Sequence, residues 1–196
     1  MSDAQACLPP WLGAGDRAWG FALNLYTLRS KRNWGIGDFS DLRAFVRIAA
    51  GFGASYVGLN PLHALHPLDP AAASPYAPSS RFFLNPLYID VAAVPEYRRI
   101  SGRHTARERL EHKSALAELR ATPHVMYERV AAQKQRFFRE LFEAFQRRDD
   151  ERRARFEAFV AAGGARLERF ARYEALDEFF AAHEAGLCGW LNWPSD

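Results

Sequence analysis

The sequence predicts an α/β fold in its first half, joined to a largely helical second half. Within residues 19–59, two short apolar segments flank one amphipathic segment, which is the pattern of a strand–helix–strand unit with parallel strands. From about Thr105 to Ala182 nearly every residue favours a helix, and apolar residues recur at helical spacing. The chain has 196 residues and is 48% hydrophobic, so it can bury a core of its own.

The first strand is expected within residues 19–28, which are apolar and β-prone and which end at the polar run 29–33. Gly35 and Gly37 then indicate a tight turn. The chain should reverse there and return along the strand as a helix.

That helix is expected to begin at a cap formed by Asp38 or Ser40, with Asp41 favourably placed in its first turn. Two glycines end it after about Ala50. Its predicted apolar face consists of Leu42, Phe45, Val46 and Ala49.

A second strand is expected at residues 54–59, parallel to the first. A long proline-rich loop follows from Asn60 to about Leu87, and residues 87–91 predict one further short strand. Parallel strands normally lie in larger sheets with both faces covered. Either this chain forms an unusually small sheet, or the remaining strands come from residues that this sequence does not contain, and we expect the second.

Three or four packed helices are expected in the second half, with joints at residues 149–151 and 163–164. We interpret its phenylalanine-rich stripe as core rather than as a cofactor site. The stripe comprises Val125, Met126, Val130, Phe137, Phe138, Leu141, Phe142 and Phe145, then Phe156, Phe159, Val160, Leu167, Phe170, Leu176, Phe179 and Phe180.

Composition argues against several classes of function. The 26 basic and 23 acidic residues are too balanced to favour nucleic-acid binding, and arginines in the helical half alternate with glutamates as on a solvated surface. Cys7 and Cys188 are far apart and form no CxxC motif. With no signal peptide and no long apolar run, we expect a reduced, cytoplasmic protein that does not bind a membrane.

No metal or cofactor site is expected. His63 and His66 lie three residues apart, but prolines bracket them and no third ligand is evident. Gly35 and Gly37 resemble a phosphate-binding turn only superficially, since no P-loop or GxGxxG motif is present.

Four sequence blocks, in order and within about sixty residues, resemble the amino-terminal part of the amylomaltase (4-α-glucanotransferase) family. They are NWGIGDF at 33–39, GLNPLHAL at 58–65, SPYAPSSR at 74–81 and LNPLYIDV at 84–91. The resemblance is sharpest over residues 19–97 and extends more loosely to the segment 190–194.

The resemblance implies a (β/α)₈ TIM barrel that begins here and is incomplete in this sequence. Strands near Phe21 and Tyr56 would be the first two barrel strands. Residues 1–18 would be an amino-terminal segment, 19–97 the first βαβ portion with the substrate loop, and 98–196 a mostly helical insertion.

The activity implied is transfer of α-1,4-glucan segments between maltodextrins or to glucose, by a retaining mechanism with an Asp nucleophile and a Glu acid/base. In the family these carboxylates come from later barrel strands, and no position here matches their motifs. We therefore assign no catalytic residue, and Asp38, Asp90 and Asp149 are not promoted to that role. The resemblance predicts a fragment that is inactive and marginally stable alone.

Substrate binding is what the resemblance carries over to this sequence. Tyr76 matches a family tyrosine that lies along the bound glucan, and an aromatic ring stacks well on a sugar. Ser74, beside it, is a candidate donor to a sugar hydroxyl. Asn60 and Asn85 lie in matching motifs, with loop scaffolding as the alternative role.

The expected partners are maltodextrin and glucose, with no nucleic acid and no cofactor, and the oligomeric state stays open. Two other functions also stay open from the sequence. The chain could be a non-catalytic module that holds maltodextrin, or the helical half could serve a structural or assembly role.

Overall fold

A computed structural model describes residues 17–66, 69, 72–148, 150–183, 189 and 193. Four strands and five α-helices lie within these residues. Both cysteines, Asp149 and all of 190–194 except Trp193 lie outside the described residues.

The first sheet pairs β1 (Gly20–Leu23) with β2 (Tyr56–Leu59) in parallel, in a register that sets Gly20 against Tyr56. Helix α1 (Phe39–Gly51) connects the two strands. The predicted parallel βαβ unit is therefore confirmed. Only glycine fits at position 20, because a Cβ there would lie 2.3 Å from the Tyr56 carbonyl oxygen.

Helix α1 begins at Asp38, whose carboxylate accepts hydrogen bonds from the Ser40 and Asp41 amides. The Asp41 side chain in turn accepts from the Asp38 amide, which completes a capping box. The predicted cap at Asp38 is confirmed. On the predicted apolar face, Ala49 is buried but Val46 is 43% exposed.

A second sheet lies within the region predicted to be loop. Strand β3 (His63–Ala64) pairs antiparallel with β4 (Ser80–Leu84). The strand predicted at 87–91 is wrong, since short 3₁₀ helices occupy Pro86–Tyr88 and Val91–Ala93. Pro86 lacks an amide hydrogen for a ladder and its fixed φ suits the start of a helical turn.

The remaining helices are α2 (Tyr97–Ser101), α3 (Ala106–Ala121), α4 (Tyr127–Gln146) and α5 (Glu151–His183). Gly164 has φ 50° and ψ −148° and kinks α5, so the predicted joint at 163–164 is confirmed. The joint predicted at 149–151 coincides with the break between α4 and α5.

Two hydrophobic clusters hold the halves together. The first is centred on Trp34 and Phe137 and joins the turn after β1 to α4. The second groups Leu25, Ile36, Tyr88, Leu119 and Val130. Both clusters combine residues from the α/β and helical portions, so the two portions share one core.

The phenylalanine stripe is only partly core. Phe137 and Leu141 are buried, whereas Phe142, Phe159 and Phe179 are 48%, 59% and 53% exposed. Three other members are exposed as well, at 42%, 44% and 45%: Met126, Val160 and Leu176. The prediction of a core role is wrong for these six residues, because helical spacing identifies a common face but not whether another element covers it.

The described strands form two separate two-stranded sheets, so the α/β class is confirmed while the barrel is not closed within these residues. The same residues include no helix long and apolar enough to cross a membrane.

Candidate functional site

The loop that follows β2 presents an exposed aromatic ring. Its tip is a tight turn in which the Ala77 amide donates to the Ser74 carbonyl oxygen at 3.1 Å. Tyr76 lies within this turn and is 75% exposed, and Ser74 is exposed beside it. The turn therefore holds the ring of Tyr76 in solvent, where a ligand can cover one face.

The base of this loop is fixed by Ser79. Its amide donates to the Ala64 carbonyl oxygen at 2.9 Å, and its Oγ lies 3.2 Å and 3.1 Å from the carbonyl oxygens of Ala64 and Leu65. Ser79 is thus attached to β3 three residues after Tyr76. This attachment limits how far the turn can move.

The part of α5 beyond its kink packs against the same region. Phe170 stacks on Phe83 of β4, with ring centroids 4.3 Å apart, and the Arg166 guanidinium lies 4.4 Å from the centre of the Phe82 ring. Glu174 Oε1 lies 3.5 Å from Ser79 Oγ. Residues 166, 170 and 174 are spaced four apart on one face of α5, and this face therefore contacts β4 and the base of the loop.

Glu174 has an unusual environment for an acidic residue. Burial, together with the neighbouring negative charge of Asp177, raises its pKa to about 7, while the hydrogen bond from Ser79 acts to lower the pKa. Asp177 is itself buried and accepts hydrogen bonds from the Gly189 amide and from Trp193 Nε1. No sequence motif marks Glu174, so only the fold identifies it.

Asn60 ends β2 and is 6% exposed. Its Oδ1 accepts from the Leu25 amide at 2.7 Å, and its Nδ2 donates to the Pro61 carbonyl and to Tyr88 Oη. The side chain thereby ties the carboxyl end of β2 to the segment after β1. Its amide is fully engaged in scaffolding, and substrate contact by Asn60 stays a prediction.

Asn85 is 3% exposed and has a similar role. Its Oδ1 accepts a hydrogen bond from the Leu87 amide at 2.9 Å and caps the 3₁₀ helix Pro86–Tyr88. The backbone amide of Asn85 donates to the Leu62 carbonyl oxygen. Substrate contact by Asn85 likewise stays a prediction. The four candidates therefore divide into two exposed residues on the turn and two buried residues beneath the loop.

The NWGIGDF block is buried and structural within the described residues. Arg32, just before it, donates to Asp41 at 2.9 Å and to Asp90 at 2.8 Å, and lies 3.5 Å from Asp38. The side-chain amide of Asn33 donates to Asp41 Oδ2 at 2.8 Å. The block therefore joins α1 to the segment around Asp90 through charge and hydrogen bonds.

Lys134 of α4 is a buried basic residue that no sequence motif predicted. It is 1% exposed, and its Nζ donates to the carbonyl oxygens of Leu87 and Ile89 at 2.6 Å and 2.8 Å. Burial lowers its pKa to about 8, while the charges of Asp38, Asp90 and Asp41 oppose that decrease. Lys134 anchors the loop end to α4.

His63 lies in β3 and His66 just after it. Within the part of the chain that the structure describes, no three His, Cys, Asp or Glu side chains are grouped as metal ligands would be. The pair therefore gains no third ligand there.

Comparison with known proteins identifies the matching family and relatives. A family model described as 4-alpha-glucanotransferase matches residues 23–196. A 4-alpha-glucanotransferase of Haemophilus influenzae is 38% identical over 200 residues, which cover 98% of this chain and 28% of that protein. A 4-alpha-glucanotransferase of Mycobacterium tuberculosis is 48% identical over 107 residues, covering 48% of this chain and 15% of that protein.

The fold is similar to the crystal structure of amylomaltase from Corynebacterium glutamicum. The two share a TM-score of 0.73 and 35% sequence identity, over 86% of this chain and 23% of that chain. This chain thus spans less than a third of the length of each of these relatives.

Proposed function

The chain belongs to the 4-alpha-glucanotransferase family, and on that premise we propose that it supplies part of the glucan-binding surface of a cytoplasmic enzyme that transfers α-1,4-glucan segments between maltodextrins or to glucose. The resemblance of its four motif blocks to amylomaltases is the basis for the substrate class. The exposed Tyr76 turn is the single structural observation that supports a binding role.

The physical argument rests on the chemistry of sugars. A pyranose presents an apolar face of C–H groups, and a flat aromatic ring covers that face while its hydroxyl remains free to hydrogen-bond. Tyr76 is 75% exposed, and Ser74 beside it offers a hydroxyl. The hydrogen bond from the Ala77 amide to the Ser74 carbonyl oxygen already orders the backbone that carries this ring, so less backbone freedom is lost on binding.

We also propose that β1 and β2 are the first two strands of a (β/α)₈ barrel, that residues 19–97 are its first βαβ portion, and that residues 98–196 are a helical insertion. The parallel pairing through α1 supports this arrangement. So does the position of the Tyr76 loop after the carboxyl end of β2, since that end of barrel strands carries the active site.

Retaining glucan transfer requires two carboxyl groups on opposite sides of the reacting carbon, about 5 Å apart. We assign neither of them to this chain, and the role proposed for Tyr76 and Ser74 is substrate contact. The chain alone should therefore bind maltodextrin without transferring it.

A binding experiment tests the proposal. Maltoheptaose titrated into the ¹⁵N-labelled chain should shift the amide signals of residues 74–80, and Tyr76→Ala should abolish the response. Phe52→Ala is a matched control, because Phe52 is 71% exposed but follows α1, at the opposite end of β2. Unchanged spectra, or equal loss in both variants, would contradict the proposal.

A transfer assay completes the test. Maltotriose incubated with the purified chain should release no glucose and form no longer dextrins. Turnover that survives controls for contaminating enzymes would mean that catalytic carboxylates lie among the residues of this chain.

A further inference from the structure

We propose that Glu174, acting through Ser79, is a positioning residue for the Tyr76 turn, so that α5 controls the glucan-binding loop through a proton-dependent hydrogen bond. The inference rests on the proposed function only for the identity of the ligand, a glucan. The contact between Glu174 and Ser79 is present in the chain without a ligand.

The contact joins residues 95 positions apart in the sequence. It is the last of three contacts from one face of α5, after those of Arg166 with Phe82 and Phe170 with Phe83. The two aromatic contacts fix α5 along β4, so the Glu174 carboxyl is held at the base of the loop rather than swinging free.

The Ser79 hydroxyl has one hydrogen and three acceptors around it. These are the carbonyl oxygens of Ala64 and Leu65, at 3.2 Å and 3.1 Å, and Glu174 Oε1 at 3.5 Å. A hydroxyl donates one hydrogen and accepts through its lone pairs. An ionised Glu174 accepts this hydrogen in a charge-assisted bond, which acts to lower the Glu174 pKa and so favours the ionised carboxylate.

Protonation of Glu174 removes the charge that strengthens this bond. The Ser79 hydrogen then returns to a carbonyl oxygen of Ala64 or Leu65, and only a neutral hydrogen bond links the loop base to α5. The ionised form should therefore hold the Tyr76 turn more firmly than the protonated form.

Glu174 can change its charge near neutral pH because burial raises its pKa to about 7. Asp177 and Glu178 are the acidic neighbours on its own helix, and Arg139 of α4 pairs with Glu178. On the loop side, the titratable residues next in sequence to the Ser79 partners Ala64 and Leu65 are His63 and His66. The experiment must therefore separate Glu174 from the two imidazoles.

The first measurement needs no glucan. Amide shifts of residues 76–80 are followed between about pH 5.5 and 8.5, a window that brackets the Glu174 pKa of about 7. The wild-type chain should show a transition centred near that pKa. Glu174→Gln should abolish it, because the amide donates to Ser79 at every pH, whereas any contribution from His63 or His66 would persist.

Glu168→Gln is the matched control, since Glu168 lies on the same helix but pairs with Arg172 in solvent. It should retain the wild-type transition. Ser79→Ala removes the hydroxyl and should also abolish it, and circular dichroism checks that each variant folds. A transition that persists in Glu174→Gln, or none in the wild type, would overturn the proposal.

The second measurement is maltoheptaose affinity. Binding by the wild type should be about fivefold tighter at pH 8 than at pH 6, the factor that corresponds to one net hydrogen bond. Glu174→Gln and Ser79→Ala should both bind weakly at both values.

The two inferences fail separately. A loop transition without glucan binding would remove the proposed function and leave the positioning link intact. Glucan binding that depends on Tyr76 but is unaffected by pH and by Glu174→Gln would remove the positioning link alone.

Discussion

Replacing Arg32 by methionine should destabilise the fold. Arg32 is the cation for three carboxylates, those of Asp38, Asp41 and Asp90, which are 1%, 6% and 8% exposed. Without the guanidinium, these three negative charges would lie close together away from water.

The magnitude follows from the burial of the partners. Removing one member of a buried ion pair costs about 3–5 kcal/mol, because the remaining charge is left uncompensated. The Arg32 side chain is 44% exposed, so water can replace part of its charge. We therefore expect Arg32→Met to lower the free energy of unfolding by about 3 kcal/mol at pH 7, the low end of that range.

The pH dependence gives a second check. Burial raises the pKa of Asp38. Burial also acts to raise the pKa of Asp41, but hydrogen bonds from Asn33, Ser30 and Arg32 outweigh it and lower the pKa. Without Arg32 the carboxylates should take up protons more readily as the pH falls, which relieves the repulsion. The penalty of Arg32→Met should therefore be smaller at about pH 4 than at pH 7.

Urea unfolding followed by circular dichroism measures this penalty. Arg32→Lys is the matched control, because an ammonium keeps the charge but its donors share one nitrogen, whereas Arg32 reaches Asp90 through Nη1 and Asp41 through Nη2. It should cost less than methionine. A penalty below about 1 kcal/mol for Arg32→Met, the level of an exposed ion pair, would refute the reasoning.

Three further changes test other parts of the structure. Burial lowers the pKa of Lys134 from 10.5 to about 8 in the folded chain. Between these two pH values the unfolded chain therefore binds more protons than the folded chain. The free energy of unfolding should rise by up to about 3 kcal/mol as the pH increases across that window. Urea unfolding at increasing pH should show this rise in the wild type and not in Lys134→Met; equal slopes would contradict it. Burial also lowers the pKa of His112, so wild-type stability should fall as the pH drops below about 6.5, and urea titrations of His112→Gln should show a shallower fall. Gly37→Ala should lower the free energy of unfolding by at least about 2 kcal/mol, because the added Cβ would lie 2.0 Å from the Leu25 carbonyl oxygen. Gly51→Ala is the control and should change it little, because a Cβ there meets no atom within 4 Å. Thermal or urea unfolding measures both.

Local structure in the first half was predictable because its signals are local. The cap at Asp38 depends on amides two and three residues away, and the βαβ unit follows from apolar segments separated by one amphipathic helix. The error at residues 87–91, where a strand was predicted, also has a local cause. Pro86 and the Asn85 cap favour a helical turn there, and this local chemistry overrode the apolar pattern.

Only part of the candidate site could be predicted from the sequence. The SPY motif located Tyr76 and Ser74, and the structure places both on an exposed turn. For Asn60 and Asn85 the sequence left substrate contact and loop scaffolding open, since an asparagine that binds sugar and one that binds backbone look alike. Burial and hydrogen-bond partners separate the two pairs.

The sequence by itself determined the family, the parallel βαβ unit and the joints of the helical half, because motifs, caps and glycine breaks act over a few residues. Only the tertiary structure decided which aromatic residues are buried, that Lys134 is enclosed, and that Glu174 meets Ser79. Burial and charge environment depend on which distant segments pack together. A pattern along one helix specifies a face, and only packing specifies what that face touches.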